Sequence, residues 1–119
     1  MIPPIHQILS ADAAVTALVP PLRIRGQGYA GDQPAAPYIT WQLVGGLPHN
    51  YVGERPGADA YRVQIDVYSK SASQCREIAA KVRDAMEPHG ACTSLNGDDF
   101  EADTQLYRYS ADWSLHIVR

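Results

Sequence analysis

The chain has 119 residues, of which 45% are hydrophobic and 19% charged, the balance of a globular protein with one core of ordinary size. No stretch approaches the roughly 18 apolar residues that span a membrane, and residues 1–6 lack the basic and apolar regions of a secretory signal. The net charge of −3 argues against a broad basic surface for nucleic-acid phosphates.

Two short helices are predicted at the start of the chain. The apolar residues on one face of the first are Ile5, Ile8 and Leu9. Ser10 is placed as the N-cap of the second helix, with Asp12 in its first turn, and Pro20–Pro21 ends it. A short strand over Leu22–Arg25 follows, and Gly26–Pro37 is expected to be a loop because Gly and Pro are dense there.

Three later segments alternate apolar and polar residues, as half-buried strands do. They are Tyr38–Val44, Tyr61–Tyr68 and Tyr107–Ile117. In the second, the apolar face consists of Tyr61, Val63, Ile65 and Val67, and the polar face of Arg62, Gln64 and Asp66. Between the first two, Gly45–Asp59 holds four Gly and two Pro, which predicts a long excursion or a frayed hairpin.

The best-defined helix is predicted directly after the second of these strands. Ser71 and Gln74 have the spacing of a capping box, and Pro88 ends the helix. The apolar stripe along it consists of Cys75, Ile78, Ala79, Val82, Ala85 and Met86. This stripe is expected to be buried against the sheet.

A two-residue hairpin turn is predicted at Asn96–Gly97, with short strands over Ala91–Leu95 and Asp98–Ala102. Because each long strand has one polar face, the sheet is expected to be covered on one side only. The predicted fold is therefore α+β: a single antiparallel sheet of about four strands with helices packed on one face, in the order α-β-β-α-β-β.

The chain has two cysteines, Cys75 and Cys92. Cys75 lies on the apolar helix stripe, where a small buried hydrophobe is the simplest interpretation. Two cysteines cannot form a zinc site alone, and no His stands at ligand spacing beside either, so no metal is expected. A disulfide between them stays open, and synthesis in a reducing compartment is the default.

One glycine pattern resembles a cofactor motif. Gly26–Gly31 matches GxGxxG, but a dinucleotide site also needs a helix directly afterwards to hold the pyrophosphate. Pro34 and Pro37 prevent that helix. The pattern is interpreted as a flexible loop, and no cofactor is expected.

Four acidic residues follow the predicted hairpin turn: Asp98, Asp99, Glu101 and Asp103. Their spacing fits no calcium loop, because no glycine-kinked loop closes on a bidentate Glu. A solvated turn is the plain interpretation. The alternative is an acidic wall that faces a partner or a channel.

A catalytic triad is suggested by Asp112, Ser114 and His116, which share the polar face of the last strand. A triad also needs a nucleophile held against an oxyanion hole, which a flat strand does not supply. An ordinary polar sheet face is therefore preferred to an esterase-like enzyme.

Taken in order, these segments resemble the tail-completion proteins of long-tailed bacteriophages, the tail terminator or tail-to-head joining proteins. Ser10–Val19 is similar to the family's opening helix and Arg23–Ile24 to the short segment after it. Pro37–Gln42 resembles its first long strand, Arg62–Ser69 is the best match, and Tyr107–Ser114 resembles the closing strand. The chain departs from the family at Pro20–Pro21, where a Gly-Asp turn is usual, and in the loop that begins at Gly45.

The resemblance implies a non-enzymatic virion protein, with residues 1–119 forming one tail-terminator-like domain. Such proteins form a six-fold ring that caps the head-proximal end of the tail tube. The implied partners are further copies of the chain, the tail tube protein and a neck or stopper protein of the head. DNA would pass through the lumen without specific binding, and no membrane is involved. Gene transfer agents use similar parts, and assembly would take place in the host cytoplasm.

The loop Gly45–Asp59 is the expected partner interface, through Leu47, Tyr51, Val52 and Arg55, because exposed apolar groups on a loop favour recognition. The competing interpretation is that this loop covers the sheet edge beside Tyr38–Val44. A neck or head-completion connector and a small non-enzymatic α+β binding domain are the alternative functions.

Overall fold

The computed structural model describes residues 4–26, 35–48 and 58–118. The helices are α1 (Ile5–Ala11), α2 (Ala13–Thr16) and α3 (Ala72–Met86), with a 3-10 turn at Pro21–Arg23. The strands are β1 (Ile24–Arg25), β2 (Tyr38–Pro48), β3 (Ala58–Ser69), β4 (Gly90–Glu101) and β5 (Leu106–Val118).

The strands form one sheet in the order β1-β2-β3-β5-β4. All neighbours are antiparallel except β1 and β2, which are parallel. The α+β class is therefore confirmed, whereas the wholly antiparallel sheet of about four strands is wrong. The short strand predicted over Leu22–Arg25 is present as β1, in which only Ile24 and Arg25 pair with β2. Two residues are too few for alternation to reveal the direction of pairing.

The hairpin predicted at Asn96–Gly97 is also wrong. β4 runs unbroken from Gly90 to Glu101, and its pairing with β5 shifts register between Leu95 and Gly97. Asn96–Gly97 thus lies at a bulge, where Asn96 Nδ2 donates to Asp112 Oδ1 at 2.8 Å. The turn between the strands comes later, at residues 102–105. β5 is long enough to pair with β4 on both sides of the bulge. The hydrogen bonds of this pairing outweigh the local preference of Asn96–Gly97 for a turn.

The core lies between α3 and one face of the sheet, with α1 and α2 beside them. Every residue of the predicted α3 stripe is buried, which confirms that prediction. The sheet and the first two helices contribute Val63, Ile65, Val67, Trp113, Leu115, Ile5, Leu9 and Val15. Continuous apolar contact on this face explains why the helices cover it.

The helix caps follow the sequence with two changes. Asp12, not Ser10, caps α2, and its carboxylate accepts from the backbone N–H of Ala14 and Val15, both at 3.0 Å. Ser71 Oγ accepts from Gln74 N–H at 3.3 Å, as expected of a capping box.

The second arm of the capping box is indirect. Ser71 N–H donates to Ser69 Oγ at 3.2 Å, and that hydroxyl donates to Gln74 Oε1. The last residue of β3 is thereby joined to the start of α3, and Ser69 is fully buried. This connection holds the helix at a defined angle to the strand.

Candidate interaction surfaces

A polar cluster lies on the sheet face opposite α3, centred on Asp66. The Gln64 amide donates to both Asp66 carboxylate oxygens at 3.1 Å, and Arg108 Nη2 donates to Asp66 Oδ2 at 3.4 Å. Asp66 was predicted on a plain polar face, yet its exposed fraction is 8%. The alternation placed it correctly, but its burial depends on β5, whose Ser110 lies opposite it.

Two tyrosines continue this cluster toward β2. Tyr38 and Tyr68 are cross-strand partners, and their rings stack with centroids 4.7 Å apart. Burial raises the pKa of Tyr38 to about 12, and the nearby Tyr68 and Glu101 add to the effect. The pKa of Tyr68 is also raised, chiefly by burial. Tyr38 has an exposed fraction of 5%, so this end of the face is poorly solvated and the Tyr38 phenol stays neutral above pH 10.

Two buried polar atoms of the cluster have no hydrogen-bond partner within the described part of the chain, Arg108 Nε and Ser110 Oγ. The hydroxyl of Ser110 lies on a fully buried residue beside the Asp66–Arg108 pair. Such groups are usually satisfied by ordered water. The arrangement is that of a structural polar network, with no nucleophile at a strained turn.

Asp112 and Ser114 of the suggested triad lie on β5 without the geometry that catalysis needs. Asp112 accepts a hydrogen bond from Asn96 across the sheet, and Ser114 lies opposite Arg62 in the middle of a regular ladder. The side chain of His116 lies outside the described part of the structure. A serine inside a strand has no adjacent backbone N–H groups free to form an oxyanion hole.

β4 forms one edge of the sheet, and within the described residues it pairs only with β5. Leu95, with an exposed fraction of 57%, and Phe100 are large apolar residues on this strand that face solvent. Gly90 begins the strand at a position where a Cβ would clash with the Ser114 carbonyl oxygen. The absence of a side chain there lets β4 approach β5 closely.

An open groove of about 890 Å³ separates β4 from α3. Its floor includes Ala111 and Trp113 of β5, and its walls include Arg83 and Glu87 of α3 and Cys92 of β4. The groove exists because α3 lies over β3 and β5 and leaves the edge strand uncovered. It has a mixed apolar and charged lining, without a convergent set of reactive groups.

The four predicted acidic residues do not all lie in a turn, so the solvated-turn interpretation holds for Asp103 alone, and the acidic face stays a prediction. Asp98, Asp99 and Glu101 belong to β4, and Asp103 belongs to the turn after it. Asp98 faces α3, where Arg76 Nε donates to it at 3.0 Å. Asp99 lies opposite Arg108, so it points to the other side of the sheet. In the described residues, no group of three or more potential metal ligands comes together.

The opposite edge of the sheet is formed by the 3-10 turn, β1 and β2. Leu22 has an exposed fraction of 83%, and Leu43 and Val44 are also exposed. Arg23 and Arg25 lie on the same edge, and Arg25 Nε donates to the Leu22 carbonyl at 3.1 Å. Beyond Thr40, β2 pairs with no described strand except β3.

The expected interface loop is described only at its ends. β2 and β3 pair as far as Pro48 and Asp59, which agrees with the frayed-hairpin interpretation. Leu47 therefore lies on β2, opposite Ala60. Tyr51, Val52 and Arg55 lie outside the described residues, as does most of the glycine pattern that begins at Gly26.

In the described ranges, no helix is long and apolar enough to cross a membrane.

A family model described as tail completion protein gp17 matches residues 3–116. The chain belongs to this family. The resemblance noted in the sequence is thereby confirmed, and the chain is a structural component of a phage-type tail.

The fold is also found in a solved particle. A chain in the structure of a native gene transfer agent virion aligns with a TM-score of 0.62 and 17% identity. The alignment covers 97% of this chain and 92% of that one. At this level of identity the likeness establishes a common fold.

One curated protein shares a shorter stretch of sequence. The O-methyltransferase xanE of Aspergillus fumigatus is 33% identical over 61 residues, which is 50% of this chain. The matched piece spans 14% of that enzyme's length. So small a part carries no argument for methyl transfer.

Proposed function

We propose that this protein is a non-enzymatic tail terminator, a ring that caps the head-proximal end of the tail tube and joins the tail to the head. Residues 1–119 act as one tail-terminator-like domain in each subunit of a six-fold ring. The observation that carries the proposal is the match of residues 3–116 to the tail completion family. That match includes all three helices and nearly the whole sheet. The proposal therefore depends on the whole domain and not on one group of residues.

A ring is the form of assembly that suits a rotationally symmetric tube. Each subunit must then present two different surfaces, one to each neighbour, because contacts related by rotation are head-to-tail. The two sheet edges differ in sequence, and both carry exposed residues in the part of the chain that the structure describes, which supports this arrangement. The tube protein and a neck or stopper protein would contact the remaining surfaces, including the loop with Leu47, Tyr51, Val52 and Arg55.

The lumen of the ring would let DNA pass without holding it. The net charge of −3 supports this, since affinity for duplex DNA depends on neutralising its phosphates. Asp98, Asp99, Glu101 and Asp103 are proposed as an acidic lumen or partner face. We expect no binding of duplex DNA in an anisotropy titration at physiological salt, and submicromolar affinity would contradict a passive lumen.

Electron microscopy of particles tests the proposal. Particles that lack the protein should accumulate as separate heads and tails, and labelled protein should lie as a ring at the head-proximal end of purified tails. Label at the distal tail tip or over the capsid surface would overturn the proposal. Label on tailless heads would favour the alternative, a neck or head-completion connector. A monomer or dimer absent from particles would favour a small binding domain.

A further inference from the structure

The exposed large apolar residues of the described ranges lie at two places, on opposite edges of the sheet. Leu95 and Phe100 lie on the β4 edge, which we define as Gly90–Glu101 with the turn after it. Leu22, Leu43 and Val44 lie on the β1–β2 edge, which we define as residues 21–25 and 41–44. Exposed apolar residues next to unpaired strand edges mark surfaces that another chain can cover.

The two edges carry opposite charge. On the β4 edge, Asp99, Glu101 and Asp103 have no ion-pair partner among the described residues, whereas Asp98 is paired with Arg76. The β1–β2 edge carries Arg23 and Arg25, which have no carboxylate partner in the described structure either. Each edge thus combines apolar side chains with charges of one sign. The β4 edge is negative and the β1–β2 edge is positive, so the two edges are complementary.

We propose that the β4 edge of one copy docks on the β1–β2 edge of the next copy. This inference rests on the proposed ring and names its subunit contact. The occupant is a second copy because the complementary surface is present on the same chain. A two-fold contact between two β4 edges would place like charges together and leave the β1–β2 edge exposed, so a head-to-tail contact fits better.

The β4 edge is large enough for a stable contact. Its 12 residues span roughly 40 Å at about 3.4 Å per residue. The facing β1–β2 edge has nine residues and limits the contact to roughly 30 Å, so a strip about 20 Å wide gives on the order of 600 Å² per partner, the lower end of specific interfaces.

The form of the contact follows from the two bulges in β4. They lie between Cys92 and Ser94 and between Leu95 and Gly97, and they interrupt regular backbone pairing with a new strand. Residues 97–101 after the second bulge pair regularly with β5 and leave an even outer edge. Backbone pairing is thus expected only near Phe100, while Leu95 and the groove contribute side-chain contacts.

Charge exchange tests the contact in particle assembly. The variant Glu101→Lys/Asp103→Lys and the variant Arg23→Glu/Arg25→Glu should each lower joined particles at least about tenfold, because like charges then meet. The fourfold variant that combines them restores opposite charges and should recover to within roughly threefold of wild type. Glu77→Lys on the exposed outer side of α3 is the matched control, and it should assemble normally.

Two results would overturn the docking contact: normal assembly with either reversed pair, or a fourfold variant no better than the pairs. The melting temperature of each purified variant shows whether it is folded. If a reversed pair does not fold, cross-linking decides instead. In a Cys92→Ser background, Leu22→Cys/Leu95→Cys should give a ladder of linked subunits in purified particles with a bismaleimide, and neither cysteine alone should.

The same cross-linking separates the two proposals. A ring at the head-proximal tail end with no ladder from the double-cysteine variant, or cross-linked dimers from Leu95→Cys alone, means that the ring stands and this contact is wrong. If wild-type particles contain no ring of this protein, the proposed function itself fails.

Discussion

Removing Arg108 is the most direct test of the polar cluster behind the sheet. Arg108 Nη2 lies 3.4 Å from Asp66 Oδ2, and the side chains of the pair are 26% and 11% exposed. Arg108→Met keeps most of the aliphatic contact but leaves the Asp66 carboxylate with the Gln64 amide alone. The change therefore probes a buried charge rather than a cavity.

The magnitude follows from distance and burial. At 3.4 Å the attraction is about 5 kcal/mol for an effective dielectric constant near 20. Losing one partner of a buried pair costs about 3–5 kcal/mol, and partial exposure of Arg108 moves the expectation to about 2–4 kcal/mol. For a chain of 119 residues, this corresponds to a melting temperature lower by roughly 8–16 °C.

Chemical denaturation at neutral pH measures this loss, with an exposed ion pair as the control. Arg83 and Glu87 lie 3.2 Å apart, but their side chains are 70% and 54% exposed. Arg83→Met should therefore change the free energy of unfolding by less than about 0.5 kcal/mol. In a double-mutant cycle with Asp66→Asn, the coupling between Asp66 and Arg108 should be about 1–2 kcal/mol.

Equal small effects of Arg108→Met and Arg83→Met would refute the reasoning. They would mean that water reaches Asp66 freely and that the opposite face of the sheet is open. A large loss without coupling to Asp66 would also contradict it, because the loss would then come from packing of the Arg108 stem.

Three further predictions address the thiols, the alkaline limit and the loop. In the native protein, Cys92 should react with a maleimide at neutral pH while Cys75 does not, since Cys75 is buried and its pKa is raised to about 11. Mass spectrometry should show one label per chain, and two labels on the folded protein would contradict the burial of Cys75. The pKa of Tyr38 is about 12 in the folded protein, against an ordinary value of 10.0, so the unfolded chain loses this proton at a lower pH. The free energy of unfolding should therefore fall between pH 10 and pH 12, by up to about 2–3 kcal/mol. Denaturant titrations of Tyr38→Phe should show a smaller fall of the free energy of unfolding over this pH range. An unchanged fall would mean that other groups cause it. Leu47→Ser/Tyr51→Ser should leave the melting temperature within a few degrees of wild type but abolish joined particles; normal joining would mean that the loop covers the sheet instead of contacting a partner.

The features decided by short-range pattern could be predicted from the sequence. The α3 stripe has helical spacing, and the same six residues are buried in the structure. The apolar face of β3 follows from strict alternation in the same way. The tail-completion resemblance is of this kind too, because it depends on the order of such elements along the chain.

Where a local turn signal and long-range strand pairing disagreed, the strand pairing determined the structure. Asn96–Gly97 is a good hairpin turn by itself, but β5 pairs with β4 on both sides of it, and the ladder outweighs one turn. That pairing also places Asp98 beside Arg76 and Asp99 opposite Arg108, which separates residues that are adjacent in sequence.

What the sequence determines by itself is the apolar face of α3 and of β3, because helical spacing and strict alternation depend on neighbours a few residues away. The tertiary structure decides the rest. β1 joins the sheet in parallel, Asp66 is buried by Arg108, and two charged edges come to lie on opposite sides of one sheet. These outcomes depend on contacts between residues distant along the chain, for which no local periodicity exists.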